Sequence, residues 1–466
     1  MARLGPLTRF GPLTWALALG GVALLVRLPL LVGRNDAPPN SDAELYLTLS
    51  DDLVEGRGFD RFGHFYTPGY PGTMAALRQL PGRTEDALVV SQHLLGVAVV
   101  AVIVLAAWRY FGRVAAIAAG ALAAVTPLMA TSEHQLLPDF LFGALVLAGG
   151  LLLAEALTRA PSPPLGLLAL AGACFGLATW VKPAGQFLLL APPLALLLAT
   201  RSLRATLRGS AVALLAMVLV LSPWLYRNVD LFESPTMSNQ SGATLYNRAF
   251  EVDGLPFPQE SSYANLARRV QAQGVVGGRR YHSRFNDALV DETGLSSREA
   301  WNVQRELALT AILRNPDDYA VGTAKGVARS IWDLNHIESE GLNLRAELRR
   351  EGRAVPQQLT TWTWMASMPL LLAWFVVSLG GAASLLLLFV GEERSRRAAA
   401  ALLSVWLIVT LLTVLAHGGM WRYSMQLAPI AWILGSAGAV AVGGELLRRI
   451  EAKQAGRVSP VQARRW

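Results

Sequence analysis

Apolar residues run through this chain in long stretches, and polar residues gather between them. The apolar runs fall at 12–33, 88–108, 113–130, 136–158, 165–181, 185–200, 209–226, 364–390, 398–416 and 424–446. About 20 apolar residues cross a bilayer as an α-helix. The pattern therefore predicts an all-α polytopic membrane protein with about ten transmembrane helices, nine to eleven in all. Runs five and six are short and Pro183 stands between them, so a broken pair is the alternative there. The first run follows Arg3 and Arg9. It is longer than a signal-peptide core and lacks a small-residue cleavage site, so it reads as a retained helix.

Two polar segments, 34–87 and 227–363, are too long to be connectors. The first is expected to carry helices lying on the outer membrane face. The second is long enough for a small, mainly helical domain. Within it, Trp301, Val303, Leu307, Leu309, Ile312 and Leu313 recur close to helical spacing across 297–314. Ser297 is a plausible start, Asn315–Pro316 a stop, and a second helix is expected over 317–334. The layout is thus a transmembrane region 1–226, an outer domain 227–363, transmembrane helices 364–446 and a basic tail 447–466.

Composition agrees with this picture. Apolar residues make up 53% of the chain and charged residues 16%, against about 25% charged in soluble domains. A disordered chain and an ordinary cytosolic enzyme are both excluded. Cys174 is the single cysteine, so no intrachain disulfide and no cysteine-based zinc cluster can form. The net charge of +8 suggests nucleic acid or membrane. Its distribution decides the matter. With the N-terminus inside, the inner segments hold 17 bases and five acids, a balance of +12. The remaining 24 bases and 28 acids give −4. Each short inner loop carries arginine, as the positive-inside rule requires. The basic excess orients the chain, and nucleic acid drops out as a partner. Both termini are expected in the cytoplasm and the two long loops outside.

Ionisable residues collect at the outer ends of the runs: Asp42, Glu44, Glu133, His134, Asp139, Lys182, Arg227, His417 and Arg422. Polar groups beside hydrocarbon are costly, so these are functional candidates. Ser41-Asp-Ala-Glu44 fits a capping box, with Asp42 in the first turn of a surface helix and Tyr46 one turn on. Gly56-Arg-Gly58 would end that helix. Tyr66-Thr-Pro-Gly-Tyr-Pro71 reads as a fixed turn between two surface helices. Pro138 suits the start of the fourth span, which places Asp139 in its first turn. Capping acids and interface aromatics are the plain structural reading of these features. Asp42, Glu133, His134 and Asp139 are the only candidates for a divalent metal, and their spacing matches no specific zinc motif. No cofactor is otherwise called for. Lys182, one of three lysines in the chain, stands at an outer helix end beside Trp180 and Pro183. It is placed either to snorkel or to bind a phosphate.

Six segments in order resemble the GT-C glycosyltransferase superfamily, on its branch of protein O-mannosyltransferases and lipid A aminoarabinose transferases. They are Ser41–Tyr46 through Phe59, Tyr66–Pro71, Ser132–Asp139, Gly176–Pro183, Ser222–Asn228 and Arg422–Tyr423. The resemblance implies a bacterial inner-membrane enzyme that transfers a sugar from a polyprenyl-phosphate donor at the periplasmic face, with inversion. It implies Asp42 as the catalytic base and Asp139 as a second acid of the site. Ala43 separates Asp42 from Glu44 where many relatives have adjacent acids, and Thr67-Pro-Gly69 replaces the Lys-Pro-Pro of the aminoarabinose enzymes. Lys182, Arg227 and Arg422, with Arg248 behind them, are the candidates for the donor phosphate. Glu44, Tyr46, Tyr66, Tyr70, Glu133, His134 and Tyr423 would line the site. The acceptor, whether protein, lipid or polysaccharide, is not named by the sequence. The competing readings are an O-antigen polymerase or ligase and a lipid or solute transporter. A transporter would place its ionisable groups at mid-membrane and show paired repeats.

Overall fold

The apolar runs fold as helices because a backbone in hydrocarbon must satisfy its own N–H and C=O groups. The computed structural model describes residues 10–32, 41–59, 65–79, 85–159, 162–273, 281–332, 381–418 and 426–455. No strand occurs among them. Among the described residues six helical stretches are long and apolar enough to cross a membrane: Ala87–Phe111, Asp139–Thr158, Pro183–Thr200, Leu203–Phe232, Glu393–His417 and Ala428–Glu451. Shorter apolar helices cover Pro12–Leu28, Arg113–Val125 and Leu165–Val181. These correspond to runs one to seven, nine and ten. Most of run eight, 364–390, lies outside the described residues.

The helices that frame the site are α1 (Pro12–Val32), α2 (Ser41–Val54), α3 (Gly69–Arg78), α4 (Glu85–Phe111), α5 (Arg113–Val125), α6 (Pro127–His134), α7 (Asp139–Thr158) and α8 (Leu165–Val181). Helix α8 packs between α7 and α10 (Leu203–Phe232). Small residues permit the close approach expected of membrane helices: Gly172 lies directly on the Ala213 carbonyl. Helix α10 continues through Pro223 to Phe232, beyond the run that predicted it.

Runs five and six are two separate helical stretches. Helix α8 stops at Val181, Lys182 is extended (φ −149°, ψ 128°), and a 3-10 segment, Pro183–Leu190, leads into α9 (Ala191–Thr200). The 3-10 segment folds back on α8. A Cβ on Gly185 would come within 2.7 Å of the Thr179 backbone nitrogen.

In the first polar loop, α2 ends as expected at Gly56 and Gly58, whose φ of +73° and +74° suit glycine alone. The side chain of Ser41, the expected cap, lies outside the described residues. The Tyr66–Pro71 turn is shorter than the sequence suggests. Irregular backbone is confined to 65–68, and α3 starts at Gly69 with Pro71 in its first turn. A proline there forfeits no helical hydrogen bond. Arg78 of α3 pairs with Asp51 of α2 at 2.6 Å.

After α10 come α11 (Ser241–Tyr246), a π-helical segment Asn247–Val252, α12 (Ala264–Ala272), α13 (Tyr281–Thr293), α14 (Ser297–Arg314) and α15 (Pro316–Trp332). Helices α11 to α14 share a hydrophobic cluster of their own around Tyr246, Phe250, Phe285, Leu289 and Leu307. Tyr246 stacks on Phe285 at 5.2 Å, and Phe250 on Phe257 at 4.2 Å. The cap of α14 is Ser296, one residue before the expected start, in a capping box with Glu299. Helices α16 (Glu393–His417) and α17 (Ala428–Ala455) follow, α16 packing on α7 and α9.

Candidate active site

At one end of the bundle the first surface loop meets the start of α7 and the end of α8. Asp139 is the first residue of α7, where the helix dipole favours a carboxylate. Lys182 is the first residue beyond α8. Its Nζ lies 2.8 Å from Asp139 Oδ1, with side-chain exposures of 13% and 4%. The Gln426 amide also donates to Asp139 Oδ1.

The Thr67–Gly69 segment lies across the end of α8. Thr67 Oγ1 donates to the Val181 carbonyl at 3.3 Å. A Cβ on Gly69 would sit 2.5 Å from the Trp180 carbonyl carbon. Only glycine permits that contact, which sets α3 directly beside Lys182.

Three tyrosines join this corner to α2. Tyr46 meets Tyr66 at 5.4 Å and Tyr70 at 5.3 Å, both edge-on. Burial pushes the Tyr66 phenol up in pKa, and the nearby Asp42 carboxylate adds to the rise. Burial also raises Tyr70, followed by Asp139, while its hydrogen bond to Gln92 opposes them. Asp42 thus lies near Tyr66 and Asp139 near Tyr70, in one aromatic cluster. Asp42 and Glu44 are both exposed, and the Glu44 carbonyl accepts from Thr48 Oγ1 at 2.8 Å. The structure therefore brings together Asp42, Tyr46, Tyr66, Tyr70, Asp139 and Lys182.

Other predicted residues fall elsewhere. Glu133 is fully buried and paired with Arg27 at 2.6 Å, and His93 Nδ1 lies 2.9 Å from the same carboxylate. His134 Nδ1 adjoins His93 Nε2 at 3.3 Å. Burial and then His93 lower the pKa of His134. Among the described residues no three His, Cys, Asp or Glu side chains are arranged to hold a metal ion. Arg227 stacks on Trp224 at 4.5 Å and donates to Asn228 Oδ1 at 3.1 Å. Trp224 in turn meets Phe59, the residue after Gly58 in the first loop, with ring centroids 5.3 Å apart. Arg248 is fully buried, paired with Asp253, bonded to Thr323 Oγ1 at 3.1 Å and set over the Tyr319 ring. Arg422 and Tyr423 lie outside the described residues.

Sequence reasoning missed Arg27, Gln92, His93 and Gln426. An arginine within an apolar run was a usable signal for the first. His93, also inside an apolar run, carried the same signal, and Gln92 and Gln426 carried none.

Residues 67–226 match the family model described as dolichyl-phosphate-mannose-protein mannosyltransferase. The fold is similar to that of the oligosaccharyltransferase of Archaeoglobus fulgidus in the apo form. That match has 14% identity and a TM-score of 0.50, covering 95% of this chain and 52% of that one. The likeness is one of fold, and the chain spans about half the length of the archaeal enzyme. ArnT from Cupriavidus metallidurans, solved bound to undecaprenyl phosphate, is also similar. It has 18% identity and a TM-score of 0.38, covering 96% of this chain and 81% of that one. No curated protein sequence matches the chain. The segment matched by the family model contains Tyr70, Asp139 and Lys182, whereas Asp42 precedes it.

Proposed function

We propose that this chain is a GT-C enzyme, an inverting glycosyltransferase that moves a sugar from a polyprenyl-phosphate donor to an acceptor at the outer face of a bacterial inner membrane. About ten spans, cytoplasmic termini and an outer helical domain over 227–363 complete the reading. The carrying observation is the convergence of Asp42, the tyrosine cluster and the Asp139–Lys182 pair at one end of an apolar bundle. The matched family is named for a dolichyl-phosphate-linked mannose, which supports a lipid-linked donor. The split of charge along the chain supports the orientation.

In this reading Asp42 takes the proton of the acceptor nucleophile as it attacks the anomeric carbon. The bond from that carbon to the phosphate oxygen breaks on the opposite face, and the lipid phosphate leaves. Lys182, with Arg422, stabilises its charge as fixed cations do at other developing anions. Asp139 holds the Lys182 ammonium in place and orients the acceptor. Tyr46, Tyr66 and Tyr70 form a wall for the sugar ring.

The test uses the full chain in detergent or nanodiscs with a panel of synthetic polyprenyl-phosphate sugars and a membrane acceptor fraction. One donor is expected to support transfer, and Asp42→Asn is expected to lower turnover by about 10²–10⁴-fold in a stably folded protein. Near-normal turnover in the asparagine variant, or no transfer from any donor, would sink the reading.

A further inference from the structure

We propose that Gln92 is a positioning residue of the transfer site, an inference that rests on the glycosyltransferase reading above. Gln92 lies in the second turn of α4 and carries no sequence signal. Its Nε2 donates to the carbonyls of Glu133 at 3.0 Å and Gln135 at 3.1 Å. Its Oε1 accepts from the Tyr70 hydroxyl at 3.2 Å. Two carbonyls at one end fix the amide's orientation, since the flipped amide would set oxygen against oxygen. A primary amide offers two donors on one atom and an acceptor beside it, which this junction requires.

Each partner belongs to a segment that delivers a site residue. The Glu133 and Gln135 carbonyls lie at the end of α6 and in the turn that leads into Asp139. Tyr70 lies one residue beyond Gly69, which rests on the α8 end that carries Lys182. The next residue, His93, holds the Glu133 side chain, and Arg27 of α1 closes on its other side. Helix α4 is therefore a frame, and among the described residues Gln92 is the side chain on it that binds both segments. Losing it loosens Asp139 against Lys182 without removing either. Small displacements of positioned groups cost up to about 10²-fold in rate.

Lysine reactivity reads this directly. The chain has three lysines, Lys182, Lys325 and Lys453, and Lys325 on α15 is exposed and serves as the internal reference. The full chain is acetylated briefly and the Lys182-to-Lys325 labelling ratio is taken by mass spectrometry. Gln92→Met keeps the side chain's length and removes all three bonds. Gln92→Glu keeps the Tyr70 bond but sets a carboxylate against two carbonyls. In both variants Lys182 labelling should rise severalfold with the melting temperature nearly unchanged, and turnover should fall about tenfold. Tyr70→Phe should raise labelling less, and add nothing on top of Gln92→Met.

Unchanged Lys182 labelling beside an active parent overturns the positioning role alone, as do parent-like turnover with raised labelling and an additive double variant. A parent inert with every donor overturns the transfer reading and the proposal with it. If Gln92→Met fails to fold, Gln92→Glu and Tyr70→Phe decide by the same ratio.

Discussion

The Arg27 guanidinium and the Glu133 carboxylate meet through two hydrogen bonds of 2.6 Å, and neither side chain reaches solvent. Arg27 Nη1 also donates to the Ala23 carbonyl at 2.9 Å. A charge taken out of water is costly unless its partner is present, so the pair matters mainly through what breaking it leaves behind. Arg27→Met strands the Glu133 carboxylate beside His93 and should cost about 3–5 kcal/mol. Arg27→Met combined with Glu133→Gln should recover much of that loss. Thermal unfolding of the three proteins in one detergent decides. A double variant no more stable than the single would count against the pair as the anchor.

The Asp139–Lys182 pair yields a kinetic expectation. Hydrogen bonds to charged groups contribute about 1.5–3 kcal/mol, so Lys182→Met should raise the donor KM roughly 10- to 100-fold. The acceptor KM should change little, and Lys182→Arg should restore part of the donor affinity. Saturation curves run separately in donor and acceptor distinguish the two. An effect confined to the acceptor would move Lys182 off the phosphate.

Gly69 should tolerate no side chain. Its Cβ position lies 2.5 Å from the Trp180 carbonyl carbon and 2.6 Å from its oxygen, and backbone cannot rotate away. Gly69→Ala should destabilise by about 1–3 kcal/mol, the usual range for overpacking. It should also disturb activity, because the displaced backbone is the one that leads to Lys182. Gly72, with open space around its Cβ position, is the control: Gly72→Ala should leave unfolding close to that of the parent.

His134 gives an acid limb to stability. Burial, then the neighbouring His93, holds its folded pKa below the ordinary 6.5. A histidine depressed in the fold contributes stability that is complete above the unfolded pKa and is lost as pH falls through the folded one. Unfolding temperature should therefore drop between neutral pH and about pH 5, and His134→Gln should flatten that drop. An acid limb of unchanged slope in the variant would assign it to other groups.

The apolar runs made most of the helices legible, because membrane spans are set by length and hydropathy alone. Helix ends were less so. Helix α10 outruns its apolar stretch by carrying Arg227, Asn228 and Asp230 as regular helix, and hydropathy is blind to that continuation. Within the site, Asp42, Asp139 and Lys182 stood out as charges at the ends of apolar runs. The same argument applied to Glu133 and His134, which the fold instead turns inward onto Arg27 and His93. Charge at a span end reports that a partner is needed and says nothing of which side the partner lies on. Gln92 and Gln426 were illegible for another reason: an uncharged amide acquires its importance from backbone carbonyls and side chains that only the fold brings near.

The extended backbone of Lys182, between a helix and the 3-10 segment that folds back beside it, leaves the chain no slack at that point. Each residue added to or removed from α8 turns whatever follows by about 100° around the helix axis. A single insertion anywhere in 165–181 would carry the ammonium off the Asp139 carboxylate, although every side chain of the site survived. Length variation among proteins built on this plan should therefore avoid α8 and collect in the loops around it.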